Sequence, residues 1–353
     1  MVKSCRKVYK RKKISEEMLE MNDFNVDIHF DLLMLVEEER RKGRHNVIRE
    51  DFLPSIREGG FRVIVSSLFI DDIFIPEMAL RHALDQISSL YQEIEESDHE
   101  LKLCKNYQDI ESLKDHQIGI MLAFEGIEPL YNDINLLDIF YELGVRIVGM
   151  NWSRRNYAAD GCFFNEQREG KKGGLTPFGV QIVERAEALG MIIDVSHLND
   201  EGFWDVIKFS KKPVLATHSN SRSLTSVMRN LTDEQIRAIA EKDGLIGINS
   251  ASSFVSDEDE TSNITAYINH IEKMKELVGI DYVALGFDFC DSSISDKFEP
   301  IKFNNGRTFF NVVRGHSDAQ NVKKEMLERG FTKAETEKVF SENFLRLVKN
   351  HIK

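Results

Sequence analysis

The sequence predicts a single-domain (β/α)8 barrel of the TIM type, and three observations lead there. Eight short apolar runs of strand character alternate with segments of helical periodicity. The connection between the two most telling runs has the length of a helical crossover, which makes successive strands parallel and brings their carboxyl ends to one face. Residues suited to metal or proton chemistry stand at the ends of five of the runs.

The first run, residues 24–31, ends in His29-x-Asp31. Residues two apart on a strand share a face, so the imidazole and carboxylate project together. The second run is 61–69. A helix is expected after it over 76–97, with Pro76 in its first turn and Met78, Leu80, Ala83, Leu84, Ile87 and Leu90 at helical spacing. His82, His99 and His116 in this polar region and its sequel read as surface residues.

The third run, 117–125, has a single charge, Glu125, at its end. A carboxylate there needs a cation, a hydrogen-bond network or exposure. The fourth run, 144–153, leads into the loop 154–161, where a barrel enzyme places substrate contacts, with Asn156 as the candidate. Thr176 is a helix N-cap followed by Pro177 at the first helical position. The fifth and sixth runs, 190–197 and 212–219, carry His197 and His218 at their ends. Thr232 and Gln235 have capping-box spacing ahead of the seventh run, 244–249. The eighth, 282–288, ends in Asp288, and two helices are expected beyond it, from about Ser317 and over 332–349.

A chain of 353 residues could hold two average domains or one barrel with insertions, and with 42% apolar and 30% charged residues it is of ordinary globular composition. The net charge of -13 argues against a general nucleic-acid binder. The basic stretch 3–13 has no apolar region after it, so it reads as a solvated arm and not as a secretory signal. With the short helical piece around 14–21 it divides the chain into an arm at 1–22 and a barrel domain at 23–353. No window of about 18 apolar residues marks a membrane span. Cys5, Cys104, Cys162 and Cys290 form no C-x-x-C pair, so a reducing cytoplasm is the simplest compartment.

A lone histidine closing a strand is often only a hydrogen-bonded surface residue. Six such residues on five strands, His29, Asp31, Glu125, His197, His218 and Asp288, all at carboxyl ends, are not explained by core packing, because stability residues concentrate at the opposite face of a barrel. His29, Asp31, Glu125, His197 and His218 outnumber the ligands one open catalytic zinc requires, so two ions per chain are expected.

These residues resemble the renal, or membrane, dipeptidase family of zinc peptidases within the amidohydrolase-type barrels. The resemblance covers nearly the whole chain after the basic arm. It is carried by segments 174–179, 190–197, 217–219, 229–233 and 286–289. It implies His29 and Asp31 as ligands of one zinc, His197 and His218 as ligands of the second, and Glu125 as the bridging carboxylate. It further implies a hydroxide shared by the metals, Asp288 as acid/base and Arg229 as the group that holds the substrate's terminal carboxylate. The implied activity is hydrolysis of dipeptides, with tolerance of a D-residue at the carboxyl side, by a homodimer; charge and hydropathy, separately, give no expectation of a nucleic-acid or membrane partner.

Two positions depart from the family pattern. Trp152 stands where a substrate-contacting histidine is common, and an indole can donate but not accept a hydrogen bond. Ser250 and Ala251 stand where two aromatic residues are common, which leaves a roomier pocket. Another amide or lactone hydrolase on the same metal pair, or a non-catalytic barrel used for binding, are the alternative readings.

Overall fold

Strands that are apolar on both faces must be covered on both, and a parallel barrel wrapped in helices does this. The computed structural model describes residues 18, 23–163, 170–290, 307 and 309–353. Its strands are β1 (Asn25–Phe30), β2 (Phe61–Phe69), β3 (Leu101–Leu103), β4 (Ile118–Glu125), β5 (Val145–Gly149), β6 (Ile192–Asp194), β7 (Val214–Ala216), β8 (Leu245–Ile248) and β9 (Val283–Leu285). All eight expected strands are present. They pair in parallel in the order β1-β2-β4-β5-β6-β7-β8-β9, a nearly closed barrel.

Alternate residues of these strands face inward. Val26, Ile28, Val63, Val65, Met121, Ala123, Ile147, Ile192, Leu215, Leu245 and Ala284 make one buried cluster, closed at its amino-terminal end by Phe344, Leu347 and Val348 of the last helix. The outward residues pack under the helices in a second, larger core that includes Ile64, Leu68, Phe124, Val148 and Ile193. The seam between the first and last strands has no ladder. Instead, Asp288 N–H donates to the His29 carbonyl at 3.2 Å, and Phe287 N–H donates to Asp27 Oδ1 at 3.2 Å.

The structure corrects several expectations. β3 is a ninth strand, paired with the start of β4 at Leu101↔Ile118, below the point where β5 joins that strand. Three residues are too few to show a periodicity. The helix expected over 76–97 runs Ala79–Glu96, and Pro76 lies in the turn before it. His82 is not a surface residue. The buried stripe of that helix runs through His82, Ala83, Gln86, Ile87 and Leu90, so His82 stacks on Phe74 at 3.6 Å and meets Arg41, while Met78 and Leu84 lie off the stripe and are exposed.

Helix caps follow the sequence closely. Thr176 Oγ1 accepts from Gly179 N–H at 3.1 Å ahead of the helix Pro177–Leu189, and Thr232 with Gln235 forms a reciprocal capping box. Ser317 lies in a 3-10 turn before the helix Ala319–Glu328, and the final helical stretch from Lys333 to His351 passes through a π segment at Lys338–Glu342. The basic stretch 3–13, Cys5 and the piece around 14–21 lie outside the described residues except for Met18, which is helical and packs against Leu327. Among the described residues no helix is long and apolar enough to cross a membrane.

Candidate metal centre

The first candidate donors are aimed by a defect in β1. Its register against β2 passes from Asp27↔Ile64 to Phe30↔Ser66, one residue more on β1 than on β2, which is a β-bulge. Strict alternation would put His29 and Asp31 on the face opposite Val26 and Ile28. The extra residue resets the parity, so the apolar pair fills the barrel and His29 and Asp31 project over it. Asp27 supports the bulge: its Oδ1 accepts from the N–H groups of His29 and Phe287, both at 3.2 Å, and its Oδ2 meets His316 Nε2 at 2.9 Å.

His197 and His218 lie beyond the ends of β6 and β7, on the turns that follow, and His197 has a positive φ of 69°. Glu125 ends β4. The three sets of side chains converge. Glu125 Oε2 is 3.3 Å from His29 Nε2, while its Oε1 is 3.0 Å from His197 Nε2 and 3.7 Å from His218 Nε2. One carboxylate therefore turns one oxygen to each of two donor groups, His29 with Asp31 and His197 with His218. Asp31 accepts from Ser67 Oγ and lies 4.0 Å from His29 Nε2. Asp288 Oδ1 is 3.8 Å from His29 Nε2, and its Oδ2 accepts from Asn249 Nδ2 at 2.8 Å.

The donor set suits divalent cations. His29 Nε2 and Glu125 Oε2 are buried atoms without a hydrogen-bond partner, although they face each other. Burial, with the nearby Asp288 charge, pushes the Glu125 carboxyl up to about 8. Burial and the Glu125 charge hold Asp31 well above the usual carboxylate range. Burial likewise drives His197 and His218 well below the ordinary imidazole value, with Arg229 adding to it at His197 and His29 adding to it at His218. Burial therefore disfavours the charged form of both carboxyls and of both imidazoles. A cation that replaces the protons satisfies both kinds of donor at once.

Arg229 is 3% exposed beside this cluster. Its Nε–H donates to His197 Nδ1 at 3.1 Å, Nη1 to Ser219 Oγ at 3.0 Å and Nη2 to the His218 carbonyl at 3.0 Å. A guanidinium has five N–H groups, so two stay available to a ligand. The Trp152 ring lies 6.0 Å from that of His197, edge-on to Phe69 and beside the Arg154 guanidinium. Asn156 differs from the other candidates. Its amide donates to the Met150 carbonyl and accepts from Ala158 and Ala159 N–H, so it folds its own loop, and among the described residues it makes no contact with the donor groups.

Sequence reasoning did not single out Asp27, His316, Ser67, Ser153, Asp194, Thr217 or the amide of Asn249 as partners of the site. Thr217 and Asp194 had a usable signal, since one precedes His218 directly and the other ends β6 three residues before His197. His316 had none, being far from β1 in sequence.

The barrel with its converging histidines and carboxylates defines a metal-dependent hydrolase. A model of the membrane dipeptidase family, peptidase family M19, matches residues 15–352, and the chain belongs to that family. A solved structure described as the dipeptidase AC, a metallo peptidase of family M19, is 26% identical with a TM-score of 0.79, over 93% of this chain and 98% of that one. A metallo peptidase from Rhodobacter sphaeroides, solved with a phosphinate mimic of the dipeptide L-Ala-D-Ala, superposes with a TM-score of 0.80 at 24% identity, over 94% and 99% of the two chains. A protein described as uncharacterized, in the pqqA 5' region of Klebsiella pneumoniae, is 34% identical over 61% of this chain and 82% of its own length. Dipeptidase tcpJ of Claviceps purpurea is 24% identical over 77% of this chain, and the match spans 60% of that protein.

Proposed function

We propose that this chain is a dinuclear zinc dipeptidase that cleaves the single peptide bond of dipeptides, including those with a D-residue at the carboxyl end. The observation that carries the reading is Glu125, whose two carboxylate oxygens face separate donor groups. His29, Asp31 and Glu125 would hold one ion, and Glu125, His197 and His218 the other. Zinc at these donors would supply Lewis-acid polarisation of the scissile carbonyl and a lowered pKa for the attacking water. The remaining work falls to side chains. Asp288, held by Asn249 and directed at the metal groups, takes the proton of the attacking water and returns it to the departing amine. Arg229 offers its two unused N–H groups to the substrate's terminal carboxylate. Trp152 walls the site without offering an acceptor. The phosphinate dipeptide mimic held by a protein of this fold supports the tolerance of a D-residue.

A reducing cytoplasm agrees with Cys104 and Cys162, buried thiols outside any disulfide among the described residues. A homodimer, which sedimentation would measure, completes the reading.

Arg229 gives the sharpest test. A dipeptide has its carboxylate one residue beyond the scissile bond; a dipeptide amide has no charge there. Arg229→Ala should weaken kcat/KM for the dipeptide by about 2–4 kcal/mol and have far less effect on the C-terminal amide, with zinc content measured on the same samples because Arg229 also touches His197. An equal loss on both substrates would remove the carboxylate clamp and leave an amide or lactone hydrolase as the better reading.

A further inference from the structure

One hydroxyl stands behind both halves of the metal centre. Thr217 Oγ1 lies 2.6 Å from Asp194 Oδ2, 2.8 Å from His218 Nδ1 and 3.2 Å from His29 Nδ1. All four residues are buried. The other oxygen of Asp194 is occupied, accepting from Ser196 N–H at 3.0 Å and Thr217 N–H at 2.9 Å. The Thr217 backbone is wedged in place as well. A Cβ built on Gly247 or Gly286 would come within 2.0 or 1.8 Å of its carbonyl oxygen, so those positions must be glycine for β8 and the end of β9 to pack against it.

A hydroxyl has one proton and two lone pairs. Its shortest contact is to a carboxylate, which accepts, so the proton lies toward Asp194. Each lone pair then faces an imidazole nitrogen, and each contact is a hydrogen bond only if that nitrogen carries hydrogen. We propose that Asp194 and Thr217 are positioning residues that fix His29 and His218 together as Nδ1–H tautomers, so that one hydroxyl presents a bare Nε2 to each of the two metal groups. The inference rests on the metal reading of the site. Its physical content is a shared tautomer lock, of the kind outer hydrogen bonds supply to metal-binding histidines.

The contact between His197 and His218 sets the same tautomer at His218 independently of Thr217. His197 Nε2 and His218 Nε2 are 2.9 Å apart, so one must donate and the other accept. Arg229 Nε–H can only donate and points at His197 Nδ1, which makes that nitrogen the acceptor and puts the His197 proton on Nε2. His218 Nε2 is then the acceptor, and its proton lies on Nδ1. His29 Nε2 lies 3.3 Å from Glu125 Oε2 without a hydrogen bond, so the His29 tautomer rests on Thr217. The three histidines are therefore unequal: two are set for a metal in advance, and His197 must move its proton to Nδ1, which requires the Arg229 Nε–H to turn away from that nitrogen and leaves Ser153 Oγ, 2.8 Å away, to receive the bond.

Nitrogen-15 NMR of the metal-free protein, labelled at histidine and assigned by single histidine replacements, reads each tautomer without any turnover. The expected spectrum has His29 and His218 protonated at Nδ1 and His197 at Nε2. Thr217→Val keeps the volume and removes the hydroxyl. It should abolish the preference at His29, leave His218 the tautomer that Arg229 imposes through His197, and weaken zinc binding, measured by competition with a chromophoric chelator, by roughly 10–100-fold. Thr217→Ser should restore both. Asp194→Asn offers the hydroxyl a donor in place of an acceptor, so the hydroxyl proton turns to one imidazole and only one of the two keeps its Nδ1–H. An Nε2–H tautomer at His29 or His218 in the wild-type protein overturns the proposal, as does a folded Thr217→Val protein with an unchanged His29 tautomer and unchanged zinc affinity. If the wild type shows the expected tautomers but takes up no zinc, the metal reading fails and the lock stands.

Discussion

Asp288 is held at three points before any substrate arrives. Its backbone is left-handed, φ 56°, a conformation aspartate tolerates better than most residues. Its N–H is tied to the His29 carbonyl, its carbonyl accepts from Asn311 Nδ2 at 3.0 Å, and its carboxylate accepts from Asn249. The carboxylate therefore faces the metal groups with one oxygen already fixed. Asp288→Asn keeps the shape and removes the proton acceptor, so kcat should fall by roughly 10²–10⁴ with zinc content unchanged. Asn249→Ala leaves the acceptor and frees its orientation, and should cost roughly tenfold, the worth of one hydrogen bond to a charged group at about 1.5 kcal/mol. Near-normal turnover of zinc-loaded Asp288→Asn protein would show that another group carries the proton. Asp288 is legible in the sequence because it breaks an apolar run at its end. Asn249 ends a strand too, but asparagine does so wherever a turn begins, and its partner is named only by the fold.

At the scale of the element, β1 shows how a correct expectation can rest on incomplete geometry. His29 and Asp31 do share a face, as their spacing requires. Alternation alone, however, would turn that face away from the side filled by Val26 and Ile28, and both sets are needed inside the barrel. The bulge reconciles them, and no residue in the run announces it, because the partner that stabilises it, His316, arrives from the chain's far end. Asp27 is 0% exposed and His316 3%. Replacing the histidine by leucine leaves a buried carboxylate oxygen without its donor, so His316→Leu should lower the stability of the metal-free protein by about 3 kcal/mol or more, the usual cost of breaking a buried pair from one side. It should also weaken zinc binding through His29. Urea midpoints for the two proteins measure the first effect. A loss below about 1 kcal/mol, the net worth of an ordinary hydrogen bond, would show that the bulge holds without its clamp.

The barrel itself is the most legible feature, because its strands are parallel and buried on both faces and so appear as nearly unbroken apolar runs. The length of a run says less about how far the ladder extends: β6 and β7 stop at Asp194 and Ala216, and the donor groups His197 and His218 lie on the turns beyond. This division has a thermodynamic consequence for the whole molecule. The interior cluster from Val26 to Ala284 and the helix that closes it lie below the donor groups and contain none of them, so the fold does not depend on metal in the way a zinc finger does. The donors come from β1, from β4 and from the turns after β6 and β7, elements distributed around the barrel, so ions bound there tie its carboxyl-end face together. Chelation should therefore leave a folded, cooperatively melting protein with a lower Tm. Returning zinc should raise stability by about 2.7 kcal/mol for each site when free zinc is a hundredfold above its Kd. Elemental analysis of protein purified without chelator should give two ions per chain, with removal in two steps if the sites differ in affinity. A reproducible content of one or fewer that added zinc does not raise would sink the dinuclear site, and unfolding on chelation would show that the face above the barrel, and not the apolar cluster within it, carries the stability of the chain.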